Sequence, residues 1–181
     1  MTSYLKGGKR VKAGAPPRYN SVMSASVYIE TSVPSAHVST RTDHGSLHRQ
    51  AVTRQWWREQ LSRYEPWISD AVILELSEGN WTGKAEALRL VDPIHRLSID
   101  PEVIGVARRY IDERLVPADL KGDAVHPAAA CVHEVEFLLT WNIRHLANPN
   151  KLDHLLAINR RLGLLTPQIV TPEMLWLEDP T

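Results

Sequence analysis

Residues 26–33 read SVYIETSV and residues 136–141 read EFLLTW. In the first stretch Val27 and Ile29 alternate with Tyr28 and Glu30, and the polar pair Thr31–Ser32 follows, which predicts a strand within Ser26–Val33 ending on polar groups. In the second, an apolar run predicts a strand over Glu136–Trp141, and Asn142 stands directly after it. Two short apolar strands separated by more than a hundred residues cannot form a hairpin. Helical crossovers between them would favour a parallel sheet.

The intervening sequence supplies those crossovers. Leu47, Ala51, Val52, Trp56 and Leu61 recur at helical spacing and predict a helix over Asp43–Tyr64. Trp56 and Trp57 are adjacent and cannot share one helical face, so either one enters the core and the other lies at the edge, open to a base or a partner helix, or both pack against neighbouring elements. Trp67–Ile68 follows Pro66 as a short strand. Asp70–Glu78 is a compact helix, capped by Ser69 or Asp70 and closed by Gly79. Lys84–Val91 is a helix stopped before Pro93, and His95–Ile99 is a strand. Asp100-Pro101-Glu102 opens a helix to about Leu115, with proline early and acids in the first turn. An alanine-rich helix is expected within Pro117–Val135, another near Leu152–Leu162, and a last strand at Ile169–Val170. Strands alternating with one or two helices predict an α/β fold with helices on both faces of a parallel sheet. Sites in such sheets form beyond the C-terminal ends of the strands, so the polar residues that end strands are the candidates.

Composition narrows the class. The 181 residues are 43% hydrophobic and 23% charged, ordinary for one globular domain. No apolar run approaches the roughly 20 residues that span a bilayer, and the N-terminus lacks the apolar core of a secretory signal. The single cysteine, Cys131, excludes an intrachain disulfide and points to a reducing cytoplasm. The zero net charge hides an asymmetry. Residues 1–24 carry Lys6, Lys9, Arg10, Lys12 and Arg18 with no acid, and are rich in Gly, Pro and Ser. That extension is expected to be disordered. It is either a basic arm that holds nucleic acid loosely or an unselected extension with Met23 as the real start; the second is preferred. Residues 25–181 then form one domain, with no internal repeat.

Four acidic or amide residues occupy places where chemistry is expected. Glu30 and Asn142 end strands. Glu75 lies among Val72, Ile73, Leu74 and Leu76. Asp123 sits beside the apolar stripe Ala124, Pro127, Ala128 and Cys131, where a carboxylate is costly to bury unless paired or metal-bound. Taken singly, each acid is more often a solvated surface group. Zinc is set aside: His44 and His48 have helical ligand spacing, but no third ligand is evident, and HEVEF at 133–137 is not the HExxH motif. No Gly-rich phosphate loop occurs.

Four segments carry a family resemblance. SVYIETSVPSA resembles the opening strand of PIN domains, and ILELSEG at 73–79 their second acidic helix. GDAVHPAAA at 122–130 resembles the Asp-Ala pair leading into an alanine-rich helix. FLLTWNIRHL at 137–146 resembles the strand that ends in Thr, one residue, then Asp or Asn. They occur in the family's order, and the nearest group is the bacterial VapC-like proteins. The resemblance implies a three-layer α/β/α fold around a mostly parallel sheet of four to five strands. It places Glu30, Glu75 and Asp123 in the acidic positions and Asn142 in the fourth. It implies Mg²⁺ or Mn²⁺ as cofactor, RNA as substrate, hydrolysis leaving 5′-phosphate and 3′-hydroxyl ends, a small antitoxin as partner, and a homodimer. Glu30 and Asp123 are expected to touch the metal directly, with Glu75 acting through water or aligning the nucleophile, and Asn142 orienting a water or a phosphate. Two departures stand out: Glu rather than Asp at position 30, and Pro127 inside the third helix, which removes the backbone bond to the Asp123 carbonyl and leads the helix to start near His126 or to kink.

Around these, Thr31, Ser32 and Thr140 carry hydroxyls that either bond the carboxylates or phosphate, or merely cap strand ends. Arg144 and His145 either contact an RNA backbone or form a solvated turn. His126, one helical turn beyond Asp123, reads as a satisfied structural histidine rather than a ligand. The competing readings are a catalytically weak PIN fold that binds RNA or protein without cutting, and a DNA-directed nuclease of the same chemistry.

Overall fold

The structure is a computed structural model that describes residues 24–116, 121–144, 146 and 148–178. The basic extension 1–23 and His145 lie outside the described residues. Five strands form one sheet: β1 (Ser26–Ile29), β2 (Glu65–Ser69), β3 (His95–Leu97), β4 (Phe137–Leu139) and β5 (Gln168–Val170), in the order β3-β2-β1-β4-β5. Every neighbouring pair is parallel. β1 is central, and its Val27, Tyr28, Ile29 and the following Glu30 are all buried. The alternation read from sequence is therefore not an inside-outside pattern; a parallel strand covered by helices on both faces buries every side chain. The layered α/β/α arrangement agrees with the expected fold class.

The crossovers are α1 (Ser32–His37), α2 (His44–Glu59), α3 (Asp70–Ser77), α4 (Lys84–Val91), α5 (Pro101–Asp112), α6 (Lys121–Val132) and α7 (Pro149–Leu162). Asp43 caps α2 by accepting from the Ser46 amide at 2.9 Å, and Asp100 caps α5 by accepting from the Val103 amide at 3.0 Å. Gly79, with φ +64°, lets the chain leave α3 in the left-handed region. Trp56 is fully buried, with its indole N–H donating to the Leu175 carbonyl at 2.8 Å, while Trp57 lies at the edge against His37.

Three expectations need correction. The strand expected to end on Glu30 stops one residue earlier, at Ile29, and the chain turns into a short helix that was not expected, α1, with Pro34 in its first turn where no amide donor is required. Leu47, read as part of the apolar stripe of α2, is exposed. The helix carrying Asp123 does not begin near His126: α6 starts at Lys121 and runs through Pro127.

No helix among the described residues is long and apolar enough to cross a membrane.

Candidate metal centre

β1 and β4 lie side by side, so their C-terminal ends deliver Glu30 and Thr140 to the same edge of the sheet. Glu30 is 4% exposed. Its Oε2 accepts from the Thr140 hydroxyl at 2.7 Å and, in a shorter contact, from the Ser32 hydroxyl. Ser32 in turn accepts from the Trp141 amide at 2.8 Å, and Thr140 accepts from the Asn142 amide at 2.8 Å. The turn into α1 and the end of β4 are thus stitched around one carboxylate.

Glu75 arrives from α3, its side chain 32% exposed. Its Oε2 accepts from the Thr31 hydroxyl at 2.5 Å and contacts His126 Nε2 at 3.1 Å. His126 comes from α6 and is fully buried, with Nδ1 2.8 Å from the Tyr28 hydroxyl, which itself lies 2.6 Å from the Ser69 hydroxyl. All three hydroxyls flagged in the sequence, on Thr31, Ser32 and Thr140, donate to the carboxylates. Both acids share a pattern: two hydrogen bonds fall on Oε2, and among the described residues no donor reaches Oε1.

One ligating atom from each of Glu30, Glu75 and His126 lies within 4.8 Å of the other two. Asp123 does not join that group. It is half-buried one helical turn before His126, and its Oδ1 accepts from the Asn142 side chain at 3.1 Å. Arg144 is exposed in the turn after β4. Sequence reading placed His126 in a structural role. The structure gives it hydrogen-bond partners on both ring nitrogens and also a place in the cluster. The available signal was its position on the same helical face as Asp123.

Electrostatics bind the pair. Burial pulls the His126 pKa down, but the Glu75 hydrogen bond and the charges of Glu30, Glu75 and Asp123 outweigh it and hold it above the ordinary value. Burial pushes the Glu75 carboxyl up, but the bond and charge of His126 and the Thr31 hydroxyl bring it below the ordinary value.

The donor set suits a divalent cation. Two carboxylates match the oxygen-rich site of a hard ion, and His126, with both ring nitrogens hydrogen-bonded, holds Glu75 in place beside them. The start of α6 also leaves no room for a side chain against Glu75: a Cβ at Gly122 would lie 1.8 Å from Glu75 Oε1. Glu30 and Glu75 would hold the ion, with His126 beside them and Asp123 and Asn142 on the flank.

No protein-family model matches the chain. No curated protein matches it at a significant level. Among solved structures, it is similar to a chain in the crystal structure of VapBC2 from Rickettsia felis bound to a DNA fragment from their promoter. That match has 10% sequence identity and a TM-score of 0.47, over 80% of this chain and 97% of that one.

Proposed function

We propose that the chain is a metal-dependent endoribonuclease that hydrolyses RNA phosphodiester bonds, acting as the toxin of a type II toxin–antitoxin pair. The observation that carries the hydrolytic reading is the convergence of Glu30 and Glu75 from β1 and α3, each with one oxygen saturated by hydroxyl and imidazole donors and the other bare. Carboxylate oxygens within 4.8 Å of one another favour a cation between them, and the single imidazole beside them offsets only part of their charge. The toxin role, the antitoxin and a homodimer rest on the PIN resemblance of the four sequence segments.

A bound Mg²⁺ or Mn²⁺ supplies a water of lowered pKa and neutralises charge on the phosphoryl oxygens. The chain's own residues do the rest. Ser32 and Thr140 fix the Glu30 carboxylate, and Thr31 fixes that of Glu75. His126 is fully buried, so it acts through Glu75 rather than on the substrate. Asn142 orients Asp123 and carries no charge of its own. Glu75 is assigned a direct ligand role here, where the sequence reading has it binding through water or aligning the nucleophile. The products would be 5′-phosphate and 3′-hydroxyl ends.

A PIN-like module that binds RNA or protein without cutting is the second reading, supported by Asn142 occupying a fourth acidic position and engaging Asp123. Incubation of the full chain with RNA and Mn²⁺ separates the two. Cleavage that disappears in EDTA and in Glu30→Gln supports the hydrolase. A parent that binds RNA but leaves it intact, and whose thermal stability ignores Mn²⁺, favours the binding module.

A further inference from the structure

Ser69 stands immediately before α3, where a serine ordinarily caps the helix by accepting from an amide of its first turn. Its backbone is extended as that role requires, with φ −132° and ψ 172°, yet its side chain makes no capping bond. The hydroxyl lies instead 2.6 Å from that of Tyr28, and both residues are fully buried. The cap of α3 is forgone for a contact with the central strand.

That contact gives the Tyr28 hydroxyl a second partner besides His126 Nδ1, 2.8 Å away. A phenol donates one hydrogen and accepts as well. The pair therefore serves either state of the imidazole. In a neutral ring, Nε2–H donates to Glu75 Oε2 at 3.1 Å, Nδ1 accepts from Tyr28, and Tyr28 accepts from Ser69. In a protonated ring, Nδ1–H donates to Tyr28, and Tyr28 donates to Ser69. The hydroxyls reverse direction, and Nε2–H faces Glu75 throughout. A ring with its hydrogen on Nδ1 alone would set a lone pair against the carboxylate. β1, β2 and α6 thus meet on one imidazole and fix it from the side away from the acids.

We propose that Tyr28 and Ser69 are positioning residues which, acting through His126, hold the Glu75 carboxylate where it binds the cation. The proposal rests on the metal-dependent reading of the site. Neither hydroxyl is bonded to a carboxylate among the described residues, so any effect on the metal passes through the histidine.

The test is a double-mutant cycle on Mn²⁺ affinity, read by calorimetry on the metal-free full chain. Tyr28→Phe keeps the ring and removes the hydroxyl. It is expected to weaken Mn²⁺ binding about 10-fold, the lower end of the range for groups that orient metal ligands. Ser69→Ala should act in the same direction and less, being one bond further from the acid. His126→Gln can keep an amide donor toward Glu75 but offers no atom in place of Nδ1, so adding Tyr28→Phe to it should cost no further affinity. A hydroxyl that served packing alone would weaken binding equally in both backgrounds. A second readout needs no metal: in the ¹⁵N spectrum of the histidine-labelled chain, the Nδ1 resonance of His126, assigned by its absence from His126→Gln, should move in Tyr28→Phe. Parental Mn²⁺ affinity in Tyr28→Phe, an equal loss in the His126→Gln background, or an unmoved resonance overturns the assignment and leaves the metal centre standing. A parent that takes up no Mn²⁺ defeats the metal-dependent reading; the relay then stands, as a clamp on Glu75, if the resonance moves and falls if it does not.

Discussion

Two tyrosines, Tyr28 in β1 and Tyr110 in α5, each anchor a buried polar network, and the two networks are built to opposite ends. Around Tyr110, the phenol donates to Asn159 Oδ1 at 2.6 Å, and the Asn159 amide donates to Thr166 at 2.8 Å and to Cys131 Sγ at 3.2 Å. Every member is neutral, and burial pushes both the phenol and the thiol up, out of the physiological range. This network ties α5, α6 and α7 together and closes on itself. Around Tyr28, the chain Ser69–Tyr28–His126–Glu75–Thr31 includes a carboxylate, Glu75, that lines a cleft. A neutral, closed network serves stability. A charged network left incomplete on one side costs stability unless something else completes it, and that is where function is expected.

The contrast can be broken most sharply at the acids. Glu30→Gln or Glu75→Gln is expected to lower Mn²⁺-dependent RNA cleavage by about 10²-fold to 10³-fold or more, with the far-ultraviolet circular dichroism unchanged. Cleavage at parental rates in both variants removes the mechanism. A smaller effect is expected from Gly122→Ala. The new Cβ meets only the flexible end of Glu75, so the melting temperature should hardly move, while Mn²⁺ affinity in calorimetry falls about 10-fold to 100-fold, the range for misplaced metal ligands. The Tyr110 network should behave in the opposite way. Tyr110→Phe leaves Asn159 Oδ1 without its donor and is expected to cost about 1–3 kcal/mol in urea unfolding, with Mn²⁺ affinity and cleavage unchanged. A Tyr110→Phe variant that loses metal binding would erase the distinction between the two networks.

The smallest expected effect is in pH. His126 has a folded pKa above its ordinary 6.5, so the stability it contributes when protonated is fully present below about 6.5 and is lost as pH rises through the folded value. Glu75 has a folded pKa below its ordinary 4.5, so its contribution is present above that and is lost as pH falls through the folded value. Thermal unfolding in EDTA should therefore show a plateau between the two, with His126→Gln flattening the alkaline decline. The Tyr110 network contributes no titration in that span.

Much of this was legible in the sequence. The strands and the helices α3 to α7 fell close to their expected places because apolar period, proline and glycine mark them. Helix α1 did not, because Ser32–His37 is six residues long, holds a proline and has no apolar repeat to read. The site was legible only in part. Glu30 and Glu75 stand 45 positions apart (75 − 30), so no local spacing joins them, and the resemblance of four ordered segments nominated both. Three hydroxyls beside the acids were found because they neighbour strand ends. Two features depend on how close the elements pack, which no periodicity reports: the entry of His126 into the cluster, and the approach of α6 to Glu75 that leaves room only for glycine at 122.

The most direct measurement is calorimetric titration of the metal-free full chain with Mn²⁺, for the parent, Glu30→Gln and Tyr110→Phe. Saturable binding in the parent and in Tyr110→Phe, lost in Glu30→Gln, is the expected result. A parent that takes up no Mn²⁺, or a Glu30→Gln variant that binds it as tightly as the parent, contradicts a metal centre built on these carboxylates.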